Sequence, residues 1–532
     1  MAGNQLISRF ETKDFWLKTL FTLLIFFAVL NALAGTVADP DLWGYMAFGR
    51  LFWEHQQFPY QDVFAYVPTL DPWVYHEWLT GVIFYPLYQA LGATGLQLLK
   101  YGFGLATALV IYLTARERGA DRVSAALGLW ITQFFLSIGY SPVRAQVFTY
   151  LFFAVSLYLL ERARLSGRWR GLGFIVVLMI PWCNLHGGFV AGLGLIGLYA
   201  GGEALSRRPF WPYLAVLLLS GLATLVNPYG LEYWTYLLRA VSMPRPEISE
   251  WASVLKAWQT GQPKEPTIYL MVLLVFSFFL IWWAKWKEIT PGLVTALMLY
   301  LGLKHQRHLI FFFMVIGAYF PVLIMAYREV LKSRPGFLAL GQRLGRAAPV
   351  LGLALLTLVF AYKFMSKSPL SLRIPPCPDK QDPSIILHYP VGAINYIQKN
   401  NLSGNLLSEF HWGEYLIWVL YPQCRVAMDG RYETVYADTL FDQYTDFIHG
   451  RKSWRDFLTH YPPDLVLIDS KSKARPLLLK EPGWQQVYED GGCALFLRQD
   501  KPGGEDLQSL QSQKSPNRAG EGSSPLTSRK WD

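Results

Sequence analysis

The chain has 532 residues, of which 52% are hydrophobic, 16% aromatic and only 16% charged. An average soluble domain carries about 25% charged residues, so this composition excludes disorder over most of the length and a single water-soluble globule. The net charge of +10 sits mostly in short loops between apolar blocks, which reads as membrane orientation rather than nucleic-acid binding.

Residues 15–37 form the first apolar block, behind Arg9, Lys13 and Lys18. It is too long for the apolar core of an ordinary signal peptide and lacks a clean small-residue cleavage site, so it predicts a retained anchor helix. A large outer loop follows over 38–78. The apolar stretch 79–92 is expected to be interfacial or re-entrant, because counting it as a crossing would invert every later loop. Further blocks lie at 95–115, 123–140, 146–160, 171–184, 187–204, 211–226, 266–284, 290–303, 308–327 and 348–366. The expected total is about eleven spanning helices.

Basic loops fix the orientation. Arg116, Arg118 and Arg122 share one loop, and Arg162, Arg164, Arg168 and Arg170 the next but one. Arg207 and Arg208, Lys285 and Lys287, and the run from Arg328 to Arg346 alternate onto the same side. The positive-inside rule makes that side cytoplasmic, with the N-terminus inside. The expectation is a multi-pass integral membrane protein, of a bacterial inner or plasma membrane, with outer segments at 38–78, 227–266 and beyond 367.

From residue 368 the pattern changes. Short β-like runs at 405–410, 424–428, 464–468, 485–488 and 494–498 alternate with helix-like stretches at 413–420 and 453–459. This predicts a small α/β extracytoplasmic domain over 368–500, after a transmembrane domain over 1–367. Residues 501–532 are rich in Gly, Ser, Gln and Pro and read as a disordered tail. Cys183, Cys377, Cys424 and Cys493 are too scattered for a zinc site. A disulfide among the last three remains open if the domain faces an oxidising compartment.

The informative residues of a membrane protein are polar groups at membrane depth or crowded into outer loops. Asp39 and Asp41 stand at the outer end of the first helix, where partial desolvation raises a carboxyl's basicity. The bland alternative is that Asp39 ends one helix and Asp41, after Pro40, caps the next. The same loop ends in His76 and Glu77 among many aromatic residues. Glu77 also suits a helix start by its charge, whereas His76 has no such account. Arg144, and His186 beside Asn184 and Gly187–Gly188, lie in other outer turns. Lys304, His305, Arg307 and His308 crowd five residues, and Arg239, Arg245, Glu247 and Glu250 occupy the second large outer loop. So many cations on the side that ordinarily excludes them point to an anion, either a bound phosphate or anionic headgroups. Several separate loops contribute, which favours the phosphate.

The layout and the segment DPDLWGYMAFGRLF, followed by a polar linker with Pro59 and Asp62, resemble the GT-C superfamily of integral-membrane glycosyltransferases. That resemblance implies a GT-C-like bundle and a first-loop acid that acts as base or metal ligand, a role that falls on Asp39 and Asp41. A divalent ion, Mg²⁺ or Mn²⁺, held by those two is the one cofactor it suggests. It also implies a polyprenyl-phosphate-linked sugar as donor, the bilayer as surroundings, and a glycan, lipid or protein acceptor. A looser similarity to oligosaccharyltransferase catalytic subunits lies in His411-Trp412-Gly413-Glu414-Tyr415 and Asp429-Gly430-Arg431, without the WWD triplet of that family. It makes Asp429 and Arg431 acceptor-site candidates, whereas Trp412 reads as core.

The leading expectation is a transferase moving a sugar from a polyprenyl-phosphate or polyprenyl-diphosphate donor to an acceptor on the outer face. Asp39 or Asp41 is its base or metal ligand. Arg144, Lys304, Arg307, His305 and His308 hold phosphate, and His76, Glu77 and His186 line the pocket. The alternatives are glycan transfer to protein, and a non-enzymatic transporter or assembly factor for an envelope polysaccharide. Transporters of that kind commonly show inverted repeats, which this sequence lacks.

Overall fold

The computed structural model describes residues 2–140, 142–243, 248–260, 288–332, 347–377 and 387–499. The expected span 266–284, the 501–532 tail, Arg245 and Glu247 lie outside them. The chain forms two compact units. One takes the N-terminal residues to Thr36, His76–Thr80 and Ala93–Leu372; the other takes Val37–Tyr75, Gly81–Gly92 and the chain from Arg373 on.

The first unit is helical. Its described elements include α1 (Ala2–Leu33), most of α3 (Trp78–Glu117), α4 (Arg122–Tyr140), α5 (Gln146–Ser166), α6 (Gly173–Leu185), α7 (Phe189–Leu205) and α8 (Trp211–Ala223). Then come α9 (Glu232–Ser242), α10 (Val254–Gln259), α11 (Ile289–Lys304), α12 (Leu309–Tyr319), α13 (Pro321–Lys332) and α14 (Ala347–Met365). The remaining helix before α3, α2 (Pro40–His55), belongs to the second unit. α1 packs on α14 and α4, α4 on α12, and α11 on α12 and α7. Asn31 on α1 donates its side-chain amide to the Phe360 carbonyl of α14 at 2.6 Å.

Among the described residues two helices, Phe15–Leu33 and Trp78–Glu117, are long and apolar enough to cross a bilayer. Gln306–Tyr319 and Pro321–Leu331, bent by 45°, add a third if they form one span. Trp169–Leu185, Phe189–Leu205, Trp211–Ala223, Ile289–Lys304 and Pro349–Met365 are apolar but shorter. This is fewer than the expected eleven or so, partly because buried polar groups interrupt the apolar windows. α5, for example, ends in Glu161, Arg162 and Arg164. The 79–92 stretch ends at Gly92 as expected, but no loop separates it from the following helix. Gly92 breaks the run instead, with φ 60° and ψ −149°, a conformation that only glycine adopts cheaply.

Two arginines that served as orientation signals are structural. The buried Glu161 carboxylate accepts from Arg118, from Arg164 at 2.5 Å and from the Tyr199 hydroxyl at 2.5 Å. Glu288 also takes Arg118, at 3.0 Å. One acid thereby ties the end of α3, α5 and α7 together. Removing a single partner from such a buried set typically costs about 3–5 kcal/mol.

The second unit is an α/β body. Its five-stranded sheet has the order β2-β1-β3-β5-β4, with β1 (Gly404–Ser408), β2 (Cys424–Val426), β3 (Leu465–Asp469), β4 (Trp484–Glu489) and β5 (Cys493–Arg498). β1 pairs parallel with β2 and β3, while β5 pairs antiparallel with β3 and β4. Between β1 and β2 the chain crosses through α15 (Gly413–Leu420), which packs on β2 and on α2. The first loop completes the sheet edge. Ala65 bridges Val426 in parallel, with Tyr66 N–H donating to the Val426 carbonyl at 3.1 Å and Val426 N–H to the Phe64 carbonyl at 2.9 Å.

The sequence left a disulfide open among Cys377, Cys424 and Cys493, but all four cysteines are free and buried. Strand order gives part of the reason. Cys424 on β2 and Cys493 on β5 are separated by two intervening strands, about 14 Å at ordinary spacing and beyond the reach of an S–S bond.

Candidate functional site

α2 starts where the sequence places its two acids. The Asp39 carboxylate accepts from Asp41 N–H at 3.1 Å as N-cap, and Pro40 opens the helix. Asp39 is buried and Asp41 half-buried. The helix sinks Leu42, Trp43, Tyr45 and Phe48 into the second unit, where Trp43 packs on Tyr389 and Tyr415 and Phe48 on Trp73 and Tyr75. Arg50 stacks over Trp418 at 4.6 Å. The cap falls to Asp39 rather than to Asp41, and Asp41 stands half-buried in the first turn, so the cap and the catalytic reading of the first-loop acids are not exclusive.

A third acid joins them. Glu414, at the start of α15, is 4% exposed and accepts from Gly44 N–H of α2 at 3.0 Å. Its carboxyl lies against the Cα of both Gly44 and Gly430, and a β-carbon at either position would collide with it. The Asp41 carboxylate faces the same side of Gly430, 3.6 Å from where that β-carbon would stand. Burial pushes the Glu414 carboxyl well above the ordinary range; Asp41 and Asp429 add to the shift, and Arg431 opposes it.

Asp429 and Arg431 lie deeper. The Arg431 guanidinium donates to Asp429 from Nε at 2.9 Å and Nη2 at 2.6 Å, and to Asp62 from Nη1 at 2.6 Å. It stacks 5.0 Å from both Phe64 and Trp73. Tyr436 donates its hydroxyl to Asp429 at 3.0 Å, and the other Asp62 oxygen accepts from Ala65 N–H at 2.7 Å. This buried triad fastens the first loop to the exit of β2. Its hydrogen bonds are used inside the unit rather than turned towards an acceptor. At the end of β1, the buried Glu409 accepts from Asp469 N–H at 3.2 Å, and burial pushes its carboxyl up to about 7.

The remaining candidates belong to the first unit. His186 Nδ1 accepts from Gly188 N–H at 2.9 Å and pairs with the Thr149 hydroxyl at 2.8 Å. Its proton is thus on Nε2, which faces Glu77 at 3.4 Å. Glu77 also meets His76 Nε2 at 3.5 Å, and His76 stacks on Tyr236, whose hydroxyl lies 3.1 Å from Nδ1. Burial pushes His186 down to about 4; Glu77 opposes that, while Arg307, His76 and Arg144 reinforce it. The result is a neutral imidazole.

Arg144 pairs with Glu250 at 2.7 Å. Burial would raise the Glu250 carboxyl, but Arg144 and Arg307 outweigh it and hold it below its usual value. Trp251, the next residue, gathers the KHQRH turn. Arg307 stacks over its ring at 4.7 Å, His305 and His308 meet it edge-on, and His305 Nδ1 donates to its carbonyl at 2.6 Å. Lys304 is exposed at the end of α11. The structure therefore gathers His76, Glu77, Arg144, His186 and Arg307 in one unit, and Asp39, Asp41, Asp429 and Arg431 in the other.

Among the described residues no three His, Cys, Asp or Glu side chains are grouped to hold a metal ion. Asp39 is engaged as a helix cap, which leaves the Asp39–Asp41 pair a poor ligand set for a divalent cation.

Sequence reasoning noted Glu414 and Glu250 only in passing and gave neither a role. The usable signal for Glu414 was an acid inside HWGEYLIWVL, a segment otherwise too apolar to leave a carboxylate in water.

No protein-family model matches the chain, and no curated protein does. Solved structures do. The crystal structure of ArnT from Cupriavidus metallidurans in the apo state aligns with a TM-score of 0.50 at 12% identity, over 93% of this chain and 98% of its own. The structure of the same protein bound to undecaprenyl phosphate aligns at 0.46 and 12% identity, over 90% and 97%. The likeness to the apo structure shows that the chain shares its fold, mostly helical with a small C-terminal sheet.

Proposed function

We propose that the chain is a multi-pass membrane glycosyltransferase that moves a sugar from a polyprenyl-phosphate or polyprenyl-diphosphate donor to an acceptor hydroxyl on the outer face. The observation that carries this reading is Asp41: a half-buried carboxyl in the first turn of a capped helix, beside buried Glu414, in a chain that shares the ArnT fold. Asp39 is committed to the cap, so Asp41 is the base. It takes the proton as the acceptor O–H bond breaks. The acceptor oxygen attacks the anomeric carbon from the face opposite the leaving group. The bond from that carbon to the phosphate oxygen breaks, its electron pair leaves with the phosphate, and configuration inverts.

Phosphate binding falls to the cations of the first unit. Arg307, whose partner is the Trp251 ring, is the primary contact, and Arg144 is held ready by Glu250. Neutral His186 and His76, joined through Glu77, supply hydrogen bonds to sugar hydroxyls. Arg431 and Asp429 act at one remove, by fixing the first loop on the domain. Sugar transfer in membranes by Asp39→Asn and Asp41→Asn, assayed separately, tests the chemistry. Full activity in both removes it.

A further inference from the structure

The turn between α6 and α7 directs its protons one way. Trp182, near the end of α6, is fully buried and donates its indole N–H to the Thr149 hydroxyl of α5 at 2.8 Å. An indole nitrogen can only donate, so the Thr149 oxygen is the acceptor there. Its own proton is left for His186 Nδ1, 2.8 Å away. Gly188 N–H, which likewise only donates, reaches the same Nδ1 at 2.9 Å. Two glycines one turn apart permit this approach. A β-carbon at Gly188 would stand 2.6 Å from His186 Nδ1 and 2.7 Å from the Thr149 hydroxyl oxygen, and one at Gly192 would stand 2.5 Å from the Trp182 ring. A proton on Nδ1 would meet both donors head-on, so the ring proton belongs on Nε2. Nε2 stands 3.4 Å from Glu77 Oε1, beyond the roughly 3.2 Å limit of an ordinary N–H···O bond, on a side chain that is 10% exposed. The other titratable or charged groups facing the ring are His76 beside Glu77, Arg144 ahead of α5 and Arg307 ahead of α12.

We propose that Thr149, backed by Trp182, is a positioning residue that locks His186 as the neutral Nε2–H tautomer, so that this imidazole meets an oxygen of the bound sugar only as a hydrogen-bond donor. An unlocked ring would turn a lone pair to that oxygen in its other tautomer, or take a second proton and pair with Glu77 as a cation. The lock excludes both. A sugar hydroxyl that accepts from Nε2–H keeps its own proton for the Glu77 carboxyl beside it. The two groups together therefore read a free hydroxyl and reject a deoxy or O-substituted position, which would leave one of them unmatched. This deepens the proposed function, in which His186 contacts the sugar, and rests on it.

Magnetic resonance of the full-length protein in membranes, with its histidine ring nitrogens isotopically labelled, tests the lock without substrate. The His186 signals are those lost in His186→Gln, and the nitrogen shifts separate the two neutral tautomers from the doubly protonated ring. Wild type and Thr149→Ser should both show Nε2–H. Thr149→Val keeps the shape and removes the hydroxyl, so one of the two groups opposing a proton on Nδ1 is gone. Its ring should take up that proton at a pH about one step higher, for a tenfold weaker exclusion. A wild-type ring with its proton on Nδ1 overturns the proposal. So does a Thr149→Val titration equal to wild type, which would reduce Thr149 to packing, and so does a Thr149→Ser titration equal to that of Thr149→Val. Sugar transfer reads the donor role. His186→Gln, whose amide still donates, should exceed His186→Leu about tenfold in kcat/KM, near the worth of one hydrogen bond. Equal values overturn the donor. Full transfer by Asp41→Asn would instead strike the proposed chemistry and leave the His186 spectra standing.

Discussion

The two units handle buried charge in opposite ways. In the first, two acids are matched to arginines: Glu161 to Arg118 from the end of α3 and to Arg164 on its own helix, and Glu250 to Arg144. In the second, a single arginine serves both Asp429 and Asp62, and the buried Glu414 carboxyl sits in the same region as Asp41. The matched arrangement gives rigidity and a poised cation. The crowding of acids gives basicity, because a carboxyl buried beside other carboxyls binds a proton more readily, as Glu414 does. The proposed sugar transfer draws on both properties.

The sharpest way to break this contrast is at Asp41. Asp41→Asn should lower sugar transfer by roughly 10²–10⁴-fold, the usual worth of a general base. Asp39→Asn, which keeps a capping side chain, should lose far less. Next in size is Arg431→Ala, which strands Asp429 and Asp62. Thermal unfolding of the solubilised protein should show a loss of about 3–5 kcal/mol, much of it recovered when Asp429→Asn is added. Unchanged stability would mean that the triad does not hold the loop.

Glu409 offers a smaller, pH-dependent test. Its folded-state pKa of about 7 lies above the unfolded carboxylate value of about 4.3, so the unfolded chain gives up that proton first. Stability is therefore fullest below that lower value and falls as pH rises between the two. Glu409→Gln should add up to about 4 kcal/mol above pH 8 or so and nothing below about pH 4. Smallest is the cation contrast: Arg307→Ala should raise KM for the lipid donor about tenfold with little change in kcat, the mark of a lost binding contact. Arg144→Ala should be worse than Arg144→Ala combined with Glu250→Ala, because the single change exposes Glu250 to the incoming phosphate.

The sequence marks where the apolar helices of the first unit run but overstates their length: among the described residues two, or three with the bent pair, are long and apolar enough to cross a bilayer. It also shows Asp39, Pro40 and Asp41 as a helix start, and the five-strand rhythm of the C-terminal domain. Pairings across long separations are not legible. Nothing near Arg144 points to Glu250, 106 residues on, and nothing near Asp62 points to Arg431, 369 residues on. Arg118 and Arg164 read as cytoplasmic markers because their acid, Glu161, looks like one more loop residue. Glu414 hides for a related reason: its meaning depends on a backbone N–H of Gly44 that only the folded α2 presents.

The strand-like segment Phe64–Tyr66, laid along Val426, has a practical consequence. A fragment beginning near residue 387 would carry its sheet with a naked flank at β2, and such flanks recruit copies of themselves into oligomers and fibrils. Grafting 37–75 ahead of that fragment through a flexible tether would close the flank, and should turn an aggregating preparation into a monodisperse one.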